Sequence, residues 1–164
     1  MTIKVGDKLP AGTLQELGPD GPKEVSVESL TQGKRVAIFA VPGAFTPTCS
    51  AKHLPGFINL ADAIKAKKVD EIVCLAVNDV FVMGAWGKDQ GAADKVRMLA
   101  DGSGTYTKSL GLELDLTPRG MGLRSQRFSL LADDGKVVAL NVEAGGKFEV
   151  SSAETLLEQL NKLG

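Results

Sequence analysis

The sequence predicts an α/β fold, a mixed central sheet with helices on both faces. Apolar, β-rich runs at Arg35–Val41, 71–77 and 95–100 are separated by stretches of helical length, giving a βαβαβ order. Crossovers of that length pair their strands in parallel. Residues 127–132 and Lys136–Val142 flank Asp133-Asp134-Gly135, a hairpin signal that adds an antiparallel pair. Such strands and amphipathic helices bury their apolar faces by stacking in layers.

Taken in order, Gly6, Pro10, Gly12, Pro19, Gly21 and Pro22 punctuate the first 30 residues. Residues 13–17 and 23–27 flank Gly-Pro-Asp-Gly-Pro and predict an N-terminal β-hairpin, with a short helical turn at Ser29-Leu30. Arg35–Val41 then forms the first buried strand. A helix starts at or near Cys49 and runs through Leu54, Phe57, Ile58 and Ala61 toward Ala66. After the 71–77 strand, Asn78 or Asp79 caps a helix over 80–88. The turn at Asp101-Gly102-Ser103-Gly104 follows the 95–100 strand, and a short helix over Thr105–Leu110 ends at Gly111. Ser151 to Glu154 match a capping box for the last helix, Ala153–Leu163. With no repeat, low-complexity stretch or linker, residues 1–164 read as one domain.

The composition is that of an ordinary soluble globular protein, 43% hydrophobic and 24% charged. A net charge of -1 gives no global attraction to nucleic acid or an anionic membrane. No apolar stretch reaches the roughly 18 residues of a membrane span. The N-terminus shows no signal-peptide core, so a cytoplasmic protein is expected.

Two cysteines carry the chemical interest. Cys49 follows a turn of two prolines, a glycine and two threonines that joins a strand to a helix. There the unsatisfied backbone N–H groups and the positive helix end favour its thiolate. Cys74 lies mid-strand in an apolar run, where burial raises a thiol pKa and hides it from substrate. Cys49, His53 and Cys74 lack metal-ligand spacing, and no phosphate-binding glycine loop is present, so no metal, nucleotide or flavin is expected.

Pro42-x-x-x-Thr46-x-x-Cys49 resembles the active-site pattern of the peroxiredoxins. The longer run from Val41 to Ser50, with His53 to Phe57 behind it, is similar to the type II, peroxiredoxin-5-like subfamily. Matching segments at Val77 to Asp79, Ala85-Trp86, Leu99 to Gly104 and Arg124 to Phe128 extend the resemblance over nearly the whole chain. It implies a thioredoxin-like fold with an added N-terminal hairpin, and a thiol peroxidase that reduces hydrogen peroxide and small organic hydroperoxides through a Cys49 sulfenic acid.

The resemblance also implies the roles. Thr46 stands where a dithiol turn carries its first cysteine, and its hydroxyl would hydrogen-bond the Cys49 thiolate and a peroxide oxygen. Arg124, matched to the family arginine with Arg127 as the alternative, would place a permanent charge beside the thiolate. Pro42 would cover the pocket, with Gly43, Phe45, Thr48 and His53 around it. His53 lies one helical turn after Cys49 and reads as pocket lining or packing rather than a base. The 149–153 region, where some relatives carry a resolving cysteine, has none; Cys74 is the only internal candidate. An external thiol, glutaredoxin with glutathione or thioredoxin, is therefore expected to reset Cys49. A homodimer is expected too, with Phe45, Phe81 and Leu112 on an apolar patch. The competing readings are a peroxide-responsive sensor or chaperone-like protein using the same cysteine, and a non-enzymatic adaptor.

Overall fold

Nine strands and six α-helices make up the computed structural model, which describes residues 2–163. In chain order they are β1 Thr13–Gly18, β2 Gly21–Ser26, α1 Val27–Thr31 and β3 Arg35–Val41. A π-helical turn at Cys49–His53 leads into α2 Leu54–Asn59 and α3 Ala61–Lys65. Next come β4 Glu71–Ala76, α4 Val80–Gln90, β5 Arg97–Ala100 and α5 Thr105–Leu110. The chain closes with β6 Glu113–Leu116, β7 Gly122–Ser125, β8 Phe128–Asp133, β9 Lys136–Val142 and α6 Ala153–Leu163.

Seven strands form one sheet in the order β2-β1-β5-β4-β3-β8-β9. The three central strands β5, β4 and β3 run parallel, and antiparallel hairpins extend both sides. The mixed sheet predicted from sequence is thus present, with the N-terminal hairpin joined to β5 through β1. The bidentate Arg97–Glu16 pair, 2.8 and 3.0 Å, reinforces that junction and holds the Glu16 carboxyl below its ordinary value. At the β8–β9 turn, Asp134 and Gly135 both have positive φ, 49° and 80°, as a two-residue hairpin turn requires.

Alternation along the strands divides the core. Ala37, Phe39 and Val41 of β3 and Ile72, Cys74 and Ala76 of β4 face one layer, with α2, α3, α4 and α6. Val36, Ile38, Ala40, Val73 and Leu75 face the other, under α1 and α5. On α6, Ala153, Leu156 and Leu160 bury one stripe at helical spacing.

Five local features depart from the sequence expectation. The 95–100 strand starts only at Arg97, and the 127–132 strand is displaced one residue, leaving Arg127 outside it. The β6–β7 hairpin, a separate two-stranded sheet, was not anticipated. The cap of α6 is Ser152, whose Oγ accepts from Thr155 N at 3.2 Å, because Ser151 is engaged by Glu143. Leu112 is buried in the second core cluster, 1% exposed, and cannot belong to a surface patch.

Candidate active site

The carboxyl end of β3 runs into a turn that neither strand nor helix can continue. Phe45 sits there at φ 61°, the left-handed region a bulky residue rarely adopts. Two hydrogen bonds hold the turn: Ala44 N donates to Asn78 Oδ1 at 2.9 Å, and Thr46 Oγ1 donates to Gly43 O at 2.8 Å. Asn78 therefore serves the turn, while Asp79 caps α4 by accepting from Val82 N. Sequence reading did not assign Asn78 to the site.

Helical backbone starts at Pro47, so Cys49 lies in the first turn with the unpaired N–H groups. The π-helical turn closes when Leu54 N donates to Cys49 O. Such turns recur at functional sites because they place side chains that a regular helix would not. Ser50 Oγ accepts from Trp86 Nε1 at 3.0 Å and ties this turn to α4. Cys49 itself is 0% exposed.

The cation beside the sulfur is Arg127. Its Nη2 donates to Cys49 Sγ at 3.1 Å, and its guanidinium lies over the Phe148 ring at 5.9 Å. Arg124 does not take this place, so the sequence assignment is corrected. Its Nε donates to Met121 O at 2.9 Å, and its Nη1 reaches Pro42 O at 3.4 Å. Side-chain parity explains the difference. Phe128, Leu130 and Ala132 of β8 face the second core layer, while Leu131 faces the layer that holds Cys49. Arg127 shares the parity of Leu131 and so points toward Cys49, whereas Arg124 belongs to the separate β6–β7 hairpin.

The remaining candidates fall at different depths. Pro42 and Thr48 are half-buried. Gly43 is buried, and a Cβ there would stand 3.0 Å from Arg124 Nη1 and 3.1 Å from Thr46 Cγ2, so the turn needs glycine to stay this close. Phe45 does not line an enclosed pocket: it is 54% exposed, its ring centroid 6.4 Å from that of Trp86. Thr46 spends its hydroxyl proton on Gly43 O rather than on Cys49, which leaves its oxygen lone pairs as acceptors. His53 is fully buried, so it does not line an open pocket. Its Nδ1 accepts from Arg127 Nη1 at 2.9 Å, and its Nε2 bonds Ser151 O at 2.9 Å. Burial, and then the Arg127 charge, push His53 down to about 3.

Cys74 is a free, fully buried thiol on β4. Burial, and then the nearby Cys49 sulfur, push it well above the ordinary thiol value. The two sulfurs are thus in opposite settings. Cys49 has a guanidinium on it and can act as a nucleophile; Cys74 is held as an inert thiol.

The Redoxin family model matches residues 4–157. Peroxiredoxin-2C of Oryza sativa subsp. japonica is 55% identical over 159 residues, 96% of this chain and 98% of the relative. Peroxiredoxin-2B of Arabidopsis thaliana is 56% identical over the same length and shares. Among solved structures, reduced Prx3 from Vibrio vulnificus in complex with H2O2 superposes with a TM-score of 0.93 at 53% identity, covering 97% of this chain and 99% of that one. Peroxiredoxin 5 from Alvinella pompejana gives 0.87 at 35% identity, covering 98% and 99%.

Proposed function

Since the chain belongs to the peroxiredoxins of the Redoxin family and is a thiol-dependent peroxidase, we propose how its residues divide that work. Cys49 is the attacking thiolate. Its sulfur bonds the nearer oxygen of a hydroperoxide as the O–O bond breaks, and the departing oxygen takes up a proton as water or alcohol. The sulfur ends as a sulfenic acid and the peroxide is reduced. Arg127 holds the reacting sulfur with a charge that needs no reorientation during the step. Thr46 accepts the hydrogen bond of the incoming peroxide through the lone pairs that its bond to Gly43 O leaves free. Arg124 and Pro42 form the outer rim of the site. The contact between Arg127 Nη2 and the buried Cys49 sulfur carries this reading.

The reductant is an external thiol, glutaredoxin with glutathione or thioredoxin. One thiol displaces water from the sulfenic acid to form a mixed disulfide, and a second releases Cys49. The setting of Cys74 supports this: burial in the middle of β4 pushes its pKa well up and leaves it little thiolate, and Arg127 donates to Cys49 instead. Replacing Cys74→Ser is expected to leave steady-state turnover with the competent donor within about twofold of the parent. Loss of turnover with every donor would make Cys74 the resolver.

We also infer a homodimer that covers the apolar surface beside the turn. Phe45 and Phe81 are 54% and 62% exposed. They lie on two segments linked by the Ala44–Asn78 bond, so a partner on one would meet the other.

A further inference from the structure

His53 is the chain's only histidine, and it is buried with neither edge of its ring idle. The rings of Phe39, Phe148 and Phe57 surround it at centroid distances of 5.0, 5.0 and 5.6 Å and fix its plane. The charged and titratable groups acting on it are Arg127 and, more weakly, Glu143, with Cys49 on the far side of the guanidinium.

Its tautomer follows from its partners. Ser151 O can only accept, so Nε2 carries the hydrogen. A guanidinium can only donate, so Nδ1 must be a bare lone pair facing Arg127 Nη1. An imidazolium would set two donors against each other. The acceptor carbonyl is itself anchored. Glu143 receives the backbone N–H groups of Glu149, Val150 and Ser151 at 2.8–2.9 Å and the Ser151 hydroxyl at 2.6 Å. Glu143 N in turn donates to Arg127 O, closing a ring of contacts from the Glu143 carboxylate through Ser151 and His53 to Arg127 and the sulfur.

We propose that His53 is a positioning residue: a neutral, tautomer-locked acceptor that holds the Arg127 guanidinium against the Cys49 sulfur, with the Glu143–Ser151 latch setting its orientation. The proposal rests on the peroxidase reading of Cys49. An apolar residue would pack well among the three phenylalanines, but would leave one Arg127 N–H and the Ser151 carbonyl without partners. Arg127 would then be free to leave the sulfur for other partners.

Asparagine and glutamine separate the two edges of the ring. His53→Asn keeps an acceptor where Nδ1 stands, whereas His53→Gln places its amide near Nε2 and loses the link to Arg127. The second-order rate of Cys49 oxidation by hydrogen peroxide is expected to fall about ten- to a hundredfold in His53→Leu and His53→Gln, with His53→Asn recovering most of it. In an Arg127→Met background, His53→Leu should cost little further, because its effect passes through the arginine. Equal losses from His53→Leu with and without Arg127 would make it a packing residue and overturn the proposal. Nitrogen NMR of the imidazole in the unaltered protein gives a second test, independent of variant folding. A neutral Nε2–H ring near pH 7 is expected, and an imidazolium or an Nδ1–H ring contradicts the proposal. Parent oxidation no faster than that of free cysteine would instead remove the peroxidase reading, leaving the NMR result to judge the position of His53.

Discussion

A buried neutral histidine makes the protein sensitive to acid in a defined window. In the unfolded chain His53 takes up a proton near its ordinary value of 6.5; in the fold it resists until about 3. Between these values the unfolded state binds more protons, so stability rises with pH and is lost as pH falls below about 6.5. The loss from His53 alone between about pH 7 and pH 5 amounts to about 2 kcal/mol. Glu143 acts in the same direction but lower. Burial opposes its carboxylate, yet the hydrogen bonds from Ser151 and the backbone at 149–151 outweigh this and hold it below 4.5. Its contribution is present above that value and disappears as pH falls through the lowered one. Denaturant unfolding across this range should show the drop, and His53→Asn should flatten it. A stability curve level from about pH 7 to pH 5 would mean that His53 is already protonated, or exposed, in the folded protein.

Elements decide which parts of the site sequence could reveal. Strands long and apolar enough to be buried on both faces, such as β3 and β4, announce themselves, and so does the turn to Cys49, because two prolines and a glycine admit neither element. β6 alternates polar and apolar residues over only four positions, β7 does not alternate, and neither strand carries an apolar run, so the pair gives too short a signal to read as a hairpin. Without it, residues 113–125 had no place in the fold, and Arg124 and Arg127 could be told apart only by parity along β8. That signal was available, since Leu131 and Arg127 share a face. The π-helical turn has no comparable local signature; its extra residue is accommodated by packing and by the Trp86–Ser50 bond. That bond also makes the turn observable. Cys49 is 0% exposed, so the proposed reduction by an external protein thiol calls for the turn to open. Trp86, the only tryptophan, is expected to change its emission when Cys49 is oxidised and recover it on reduction, with the change diminished in Ser50→Ala. Constant emission through complete oxidation would show that the turn stays closed.

At the scale of the molecule, the site is assembled at one end of the sheet from segments far apart in sequence. The turn after β3 supplies Cys49, the second residue after β4 is Asn78, and the residue before β8 is Arg127. The segment after β9 supplies Glu143 and Ser151. The parallel strands β3 and β4 end side by side, and β8, antiparallel to β3, starts at that same end, with Phe128 opposite Ala40. Phe45 and Phe81 border the same end, which places the inferred dimer contact beside the chemistry. Sedimentation should give a dimer at micromolar concentration and a shift to monomer in Phe81→Asp, since a charge in an apolar contact is left unpaired. A parent protein that sediments as a monomer would remove the contact.

The central claim is that Cys49 reacts with peroxide because Arg127, not Arg124, holds its sulfur. Stopped-flow oxidation of Cys49 by hydrogen peroxide in Arg127→Met and Arg124→Met tests it directly. Arg127→Met should slow the reaction by about a hundred- to a thousandfold, and Arg124→Met by less than about tenfold. An Arg127→Met protein that reacts at nearly the parent rate while Arg124→Met fails would contradict the account.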